Sequence, residues 1–334
     1  MPVFSRRPCA ALAPWVQQLW ATHPEATQSS AAYRESVLPT GAMHLVLRGS
    51  DSPPLMLFDG AAGERSHSIG HLIVGGARSS YYVKQAGDGA RSVGVQLQPG
   101  GAFALLGVPA SELAERHTPL DLLWGAEAAR VREQIYDLPR RSFFKACPAD
   151  IHAWMREQVD LFESFLLQRL RQANTDEPQR LWLAKIIQAL ERGVPLAAIA
   201  ESSNISHRTF ITRFRSWVGL PPKVFARIRR FQRAITLLNR TSAASYRRAP
   251  GSLAQLALET GYADQAHLSR DFVEFAGVSP SAYSKLAPAA PNHVPVQLLS
   301  KALNTTGSNS FKNPARVRGR FEPEPRQGDL EEGF

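Results

Sequence analysis

Two hydrophobic periods divide the chain. Between residues 30 and 110, apolar and polar positions alternate in short runs such as MHLVLR (43–48), HLIVGG (71–76) and SVGVQLQ (92–98). These runs are rich in β-branched residues and are separated by Gly, Pro, Ser and Asp, which is typical of strands joined by turns. Their even spacing predicts a small antiparallel sheet or barrel-like domain over residues 30–110.

The hydrophobic period changes to that of a helix after this region. The segment 149–172 keeps its apolar residues on one helical face, namely Ile151, Met155, Val159, Phe162, Phe165, Leu166 and Leu170. We therefore expect helices over 111–173 to flank the sheet, which makes 1–174 one domain. A polar segment, NTDEP (174–178), separates it from a second domain.

The second domain, 178–287, has helical patterns throughout and contains an internal repeat. The segment FRSWVGLPPKVF (214–225) recurs as FVEFAGVSPSAY (272–283), a shift of 272 − 214 = 58 residues. The same Phe, Gly, Pro and aromatic positions mark both copies, so each copy is expected to form the same supersecondary unit.

Each copy has the pattern of a helix-turn-helix motif. A short helix ends at a residue that tolerates positive φ, Asn204 in the first copy and Gly261 in the second, and a second helix begins at a capping residue, Ser206 or Asp264. The predicted bounds are 195–219 for the first motif, 222–240 for a connector helix and 252–277 for the second motif. The predicted fold class is α+β: an antiparallel β-sheet or barrel-like domain with flanking helices, then an all-α domain of two helix-turn-helix motifs.

The helical pattern stops near Leu286, where the composition of the chain changes. After Leu286 the chain is rich in Pro, Gly, Ser and charged residues and has few apolar anchors. We therefore expect 288–334 to be a disordered tail.

Charge is concentrated where the repeat lies. The whole chain carries 39 basic and 29 acidic residues, a net charge of +10, and the window 201–250 alone has eleven basic residues and one acid. A local basic patch indicates a polyanion partner, and here double-stranded DNA is expected.

The second helix of each motif exposes polar side chains of the types that contact bases and phosphates. The base-edge candidates are His207, Arg208, Thr209, Thr212, Arg213, Gln265, Ser269 and Arg270. The phosphate candidates are Ser206, Arg215, Lys223, Arg227, Arg229 and Arg230. On the connector, the arginines alternate with the apolar stripe and have no acidic neighbours in sequence, so they are expected to face outward toward DNA.

The segment SLAQLALETGYADQAHLSRDFVEFAGVSPSAY (252–283) resembles the signature of the AraC/XylS family of bacterial transcription regulators. The matching positions are Gly261, Tyr262, Asp264, Leu268, Arg270, Phe272, Gly277, Ser279, Pro280 and Tyr283. Ala266 stands where the family usually has Ser, Asn204 where the first copy usually has Gly, and Thr212 where Arg is common. The resemblance implies two recognition helices that enter successive major-groove segments on one face of the duplex.

Residues 38–136 resemble a domain of unknown function that often precedes AraC-type DNA-binding domains. The resemblance implies a sensing or dimerising domain, and with it a small-molecule effector or a second copy of this chain (a homodimer) as partner. An alternative makes this half an enzyme or repair domain tethered to DNA, using a metal at His44, His67 and His71 or a reactive Cys9 or Cys147. We favour a regulator without catalytic activity, cofactor or metal.

The sequence also bears on the compartment. Two cysteines are too few for a disulfide framework, and the first twenty residues lack the apolar segment of a signal peptide. No run approaches eighteen apolar residues, so no membrane segment is expected. A cytoplasmic protein is the expectation.

Overall fold

The computed structural model describes residues 3–24, 32–59, 65–87, 89–137, 148–173, 175–243, 252–288 and 290–299. The strands are β1 (Val3–Arg6), β2 (Val16–Thr22), β3 (Tyr33–Val37), β4 (His44–Arg48), β5 (Leu55–Phe58), β6 (Ser66–Gly70), β7 (Leu72–Gly75), β8 (Tyr82–Ala86), β9 (Ser92–Leu97), β10 (His117–Pro119) and β11 (His293–Pro295). The helices are α1 (Gly101–Leu106), α2 (Ala110–Leu113), α3 (Asp121–Trp124), α4 (Ala126–Tyr136), α5 (Pro148–Gln172), α6 (Glu177–Glu191), α7 (Leu196–Ser202), α8 (His207–Val218), α9 (Pro222–Ala243), α10 (Leu253–Glu259), α11 (Gln265–Ala276) and α12 (Pro280–Leu286). The predicted α+β class is confirmed.

The strands form two antiparallel sheets. The first has the order β1-β2-β9-β4-β7-β10 and the second the order β11-β3-β8-β5-β6. In the first sheet, Leu45, Val74 and Val95 lie side by side on one face and are fully buried. This face joins the main hydrophobic core, which also contains Met155 and Phe162 of α5.

The opposite face of the first sheet points toward the second sheet. Ile73 of β7 packs with Leu55 and Leu57 of β5, and the ring of His117 on β10 contacts the ring of Tyr82 on β8 at 4.6 Å. The space between the sheets is therefore partly polar, whereas the helix-facing side is apolar.

The helical domain packs directly on this β-rich domain. The side chain of Trp217, near the end of α8, lies 4.8 Å from the ring of Phe103 on α1, and Gly100 donates its N–H to the Trp217 carbonyl at 3.1 Å. Gly100 has φ +93°, and a Cβ there would lie 3.0 Å from the indole. The Pro-Gly-Gly turn at 99–101 thus forms part of the domain contact.

The prediction of a disordered tail from residue 288 is wrong for residues 290–299. Strand β11 pairs antiparallel with β3, at the edge of the second sheet, and Val294 is fully buried. The physical reason is that a sheet edge offers unpaired backbone groups, and that Val296 and Leu299 join Val294 in the hydrophobic core. The rest of the predicted tail, 300–334, lies outside the described residues.

Candidate nucleic-acid interface

Helix α8 has a buried face and a polar face, as the repeat predicts. Phe210 and Phe214 are fully buried in the core of the helical domain. The base-edge candidates of this helix all lie on its exposed side, namely His207, Arg208, Thr209, Thr212 and Arg213. The structure therefore brings these five side chains together on one solvent-facing surface.

Two contacts position the polar face of α8. The Ser206 hydroxyl caps the helix by accepting the Thr209 N–H at 3.2 Å, and it also lies 2.8 Å from the Thr209 hydroxyl. The guanidinium of Arg213 lies 4.8 Å from the ring centre of Trp182 on α6, a cation–π contact. Asn204 has φ +52°, so the turn before α8 has the left-handed geometry that its sequence position predicts.

Helix α11 repeats this arrangement. Leu268 and Phe272 are buried, and Asp264 caps the helix by accepting the His267 N–H at 2.7 Å. Among the base-edge candidates, Gln265 and Arg270 are exposed and Ser269 is half-buried. Arg270 donates from Nε to the carbonyl of Ala266 in its own helix at 3.3 Å.

The expectation that the arginines of the connector helix α9 face outward is wrong for several of them, because carboxylates of other helices bond to them. Arg227 donates to Asp271 at 2.7 Å and to Glu274 at 3.1 Å, both on α11. Arg229 donates to Glu191 on α6 at 2.6 Å. These carboxylates are 38 to 47 positions away in sequence, so a charge count in a sequence window does not show them.

The next two arginines of α9 face the turn between α10 and α11. Arg230 lies 5.2 Å over the Tyr262 ring and donates to the Gly261 carbonyl at 3.4 Å, while Arg233 donates to the Thr260 carbonyl at 3.1 Å. Arg227, Arg230 and Arg233 therefore attach the second motif to α9, whereas Arg229 contacts α6. Among the phosphate candidates, Arg215 and Lys223 are exposed, and no ion pair of theirs occurs within the described part of the chain.

The pKa values of two connector arginines reflect these contacts. Hydrogen bonds to Glu274, followed by those to Asp271, raise the pKa of Arg227 above its ordinary value. Burial lowers the pKa of Arg233.

Comparison with protein families identifies the helical domain. A helix-turn-helix domain family matches residues 199–286, the segment that spans α8, α9, α10, α11 and α12. Residues 199–286 are an AraC-type helix-turn-helix domain. A domain of unknown function (DUF6597) matches residues 5–119, the β-rich half that precedes the AraC-type domain.

One curated relative is similar to part of this chain. The HTH-type transcriptional regulator MtrA of Neisseria gonorrhoeae is 29% identical over 103 residues, which are 31% of this chain and 32% of that protein. The chain thus spans about a third of the length of the relative it matches.

Solved structures of ToxT from Vibrio cholerae are similar to this chain, with lower sequence identity. One is 13% identical, with 78% of this chain and 98% of that chain covered and a TM-score of 0.41. Another, from strain O395, is 14% identical, covers 78% and 97%, and has a TM-score of 0.39.

The N-terminal histidines group differently from the sequence-based hypothesis of a metal site at His44, His67 and His71. The ring of His44 lies 5.8 Å from that of His117, while His71 bonds through Nε2 to the Ser52 carbonyl at 2.8 Å. Sheet register creates the His44–His117 pair, which has no signal in local sequence. Among the described residues, no group of three His, Cys, Asp or Glu side chains is arranged to hold a metal ion.

The cysteines and the membrane-crossing potential of the helices can also be compared with the sequence analysis. Cys9 is a half-buried free thiol, and Cys147 lies outside the described residues. None of the helices in the described ranges has both the length and the apolar character needed to cross a membrane.

Proposed function

We propose that the protein is a sequence-specific DNA-binding transcription regulator that contacts two successive major-groove segments with α8 and α11. The observation that carries the proposal is the duplicated geometry of the AraC-type domain. Two twelve-residue helices, each capped at its amino end and each with one buried and one polar face, pack around a shared connector. A recognition helix needs this combination of a fixed position and a free polar face.

The length of the connector supports the second part of the proposal. Helix α9 has 22 residues, which corresponds to about 33 Å at 1.5 Å per residue. One turn of B-DNA advances by about 34 Å. A rigid element of this length is suited to holding two helices in successive segments of the groove.

We assign roles within the interface from exposure and partners. The proposed base-edge contacts are His207, Arg208, Thr209, Thr212, Arg213, Gln265, Ser269 and Arg270. Ser206, Arg215 and Lys223 are proposed to contact phosphates. For Arg227, Arg229 and Arg230 we propose a structural role instead, because each is half-buried and has an intramolecular partner, whereas Arg213 and Arg270 are exposed.

Control by the N-terminal domain is part of the proposal. The carboxyl end of α8 contacts that domain through Trp217, and Gln232 of α9 donates to the Pro39 carbonyl at 2.8 Å. A ligand or a second copy bound to the N-terminal domain would therefore act close to the first recognition helix. We propose a cytoplasmic homodimer without enzymatic activity, and sedimentation of the full chain tests its oligomeric state.

Selection of bound DNA from a random pool tests the central proposal. The full chain is expected to enrich one sequence, and fluorescence anisotropy then measures binding to that sequence and to scrambled DNA across a salt series. Six to eight phosphate contacts predict a log–log salt slope of about −5 to −7. A pool that shows no enrichment over random DNA refutes the proposal.

Three arginine variants separate the proposed roles. Arg270→Ala should narrow the difference between selected and scrambled DNA by about tenfold, since a base contact contributes about 1–3 kcal/mol of discrimination. Arg215→Ala should weaken both sequences alike and reduce the magnitude of the salt slope by about 1. Arg171→Ala, an exposed arginine at the end of α5, is the matched control for net charge and should change neither quantity. Equal effects of all three variants would contradict the assignment.

A further inference from the structure

A pair of histidines lies between the two sheets of the N-terminal domain. The first sheet aligns His44 of β4, Gly75 of β7 and His117 of β10 in one row, so both side chains point to the same face. Because Gly75 has no side chain, the His44 ring lies across its strand: a Cβ at position 75 would lie 2.0 Å from Cε1 of that ring. The two imidazole rings are 5.8 Å apart.

Tyr82 and Arg78 complete this group from the other side. The Tyr82 ring lies 4.6 Å from that of His117, and the Arg78 guanidinium is 4.9 Å from the Tyr82 ring centre. Nη2 of Arg78 is 2.9 Å from Nδ1 of His117. We call His44, His117, Tyr82 and Arg78 the imidazole cluster.

The hydrogen bond from Arg78 fixes the tautomer of His117. A guanidinium has only donors, so Nδ1 of His117 must accept, and in the neutral ring the proton is then on Nε2. This Nε2 is buried and has no hydrogen-bond partner within the described ranges, and His117 is 9% exposed. A buried donor without an acceptor is destabilising, so an acceptor is expected beside it.

The other two ring side chains of the cluster also have unused polar atoms. Within the described part of the chain, the His44 ring and the Tyr82 hydroxyl make no hydrogen bond, although both residues face the interior between the sheets. The rings of His44 and Tyr82 lie 5.8 and 4.6 Å from that of His117, so three ring side chains with unused polar atoms lie together.

The charges around the cluster are basic. Burial, followed by the positive charges of Lys84, Arg78 and His293, lowers the pKa of His44 to about 4. Burial also lowers the pKa of His117, with Arg78, His44, Lys84 and His67 adding to the effect. The carboxylate of Glu35 on this face accepts from Lys84 at 3.2 Å and bonds to His293 at 2.9 Å, so its charge is already shared.

We propose that the imidazole cluster binds the carboxylate of a small organic acid between the two sheets. The His117 Nε2–H donates to a carboxylate oxygen, and His44 and Tyr82 lie within reach of the same group. The nonpolar part of the acid would lie against Tyr82, Ile73 and Leu57, which pack together beside the cluster. This inference rests on the proposed sensing role of the N-terminal domain and specifies the ligand class.

The same face connects the cluster to the DNA-binding domain. Glu35 bonds to His293 of β11, and the chain reaches β11 directly from α12 of the AraC-type domain. The Tyr283 hydroxyl on α12 donates to the Pro291 carbonyl at 2.6 Å, and Gln232 of α9 donates to the Asn292 side chain at 2.8 Å. An acid bound at the cluster would therefore lie next to residues 291–293, which bond to both domains.

Binding of carboxylates to the full chain, without DNA, tests the proposal. Isothermal titration and NMR of ¹⁵N-histidine-labelled protein are carried out with acetate, butyrate and benzoate, and benzamide is the neutral counterpart of benzoate. At least one acid should bind saturably and shift the His117 Nε2 resonance. Benzamide should bind at least tenfold more weakly than benzoate if benzoate is a ligand. Affinity should rise as pH is lowered from 7 to 5, because an adjacent anion favours the charged form of the buried His44 imidazole.

Variants distinguish this site from nonspecific binding. His117→Phe keeps a ring but removes the donor and should weaken acid binding at least tenfold, whereas His152→Phe, at an exposed histidine of α5, should leave it unchanged. If His117→Phe does not fold, His44→Gln and the wild-type NMR titration carry the test. Saturation by none of the three acids, equal binding of benzamide, or an unaffected His117→Phe variant would overturn the proposal. In each case the DNA selection still reports on the proposed function independently.

Discussion

The ion pairs of Arg227 are predicted to stabilise the second motif against α9. Its guanidinium donates from Nη2 and Nε to Asp271 at 2.7 and 3.2 Å and also bonds Glu274. It lies 5.0 Å over the ring of Phe275, also on α11. Replacing Arg227 with Met keeps much of the packing and removes the charge.

The two carboxylates let the magnitude be worked out. Asp271 is 2% exposed, and leaving one charge of a buried pair without its partner costs about 3–5 kcal/mol. A quarter of the Arg227 side chain is exposed, so solvent screening reduces the expected loss to about 2–4 kcal/mol. Glu274 is 55% exposed, so Glu274→Gln should cost less than about 1 kcal/mol.

Hydrogen exchange measured by mass spectrometry gives this loss locally, from the protection of the α11 amides in the full chain. Arg227→Met should reduce the opening free energy of α11 by about 2–4 kcal/mol. Adding Asp271→Asn should recover part of the loss, because the unpaired buried charge is then gone. A loss for Arg227→Met below about 1 kcal/mol, or one equal to that of Glu274→Gln, would refute the reasoning.

Three further predictions concern the N-terminal domain and its contacts. Burial lowers the pKa of His44 from 6.5 to about 4, so the unfolded chain binds more protons than the folded chain in this range. The free energy of unfolding should therefore decrease as pH is lowered from about 6.5 to 4. His44→Phe should remove about 3 kcal/mol of that decrease, as measured by urea titrations at each pH. Gly100→Ala should lower the free energy of unfolding by about 1 kcal/mol or more beyond the effect of Gly107→Ala, as measured from the shifts of the urea midpoint. Both glycines have positive φ, but only Gly100 has a neighbouring indole. Val294→Ala, at a fully buried position of β11, should cost about 1–3 kcal/mol, whereas Val273→Ala, 43% exposed, should stay within about 0.5 kcal/mol.

The features that local sequence determines were predictable. The caps at Ser206 and Asp264 and the left-handed turn at Asn204 follow from residue type and position, and the structure has all three. The repeat identified both helix pairs, because the same packing problem was solved twice with the same residue types.

Features that depend on long-range contacts were not predictable. The partners of Arg227 lie 44 and 47 positions away, so the connector had no visible acids in its own sequence window. His44 and His117 meet only because β4 and β10 both pair with β7. Strand β11 is three residues long and depends on the edge of β3, which a composition argument does not include.

The most direct test of the central claim is a footprint of the full chain on its selected DNA, compared with the Arg270→Ala footprint. Two contacted major-groove segments about one helical turn apart are predicted, with the segment bound by α11 weakened in the variant. A single protected segment that Arg270→Ala leaves unchanged, or protection of scrambled DNA to the same extent, would contradict the account.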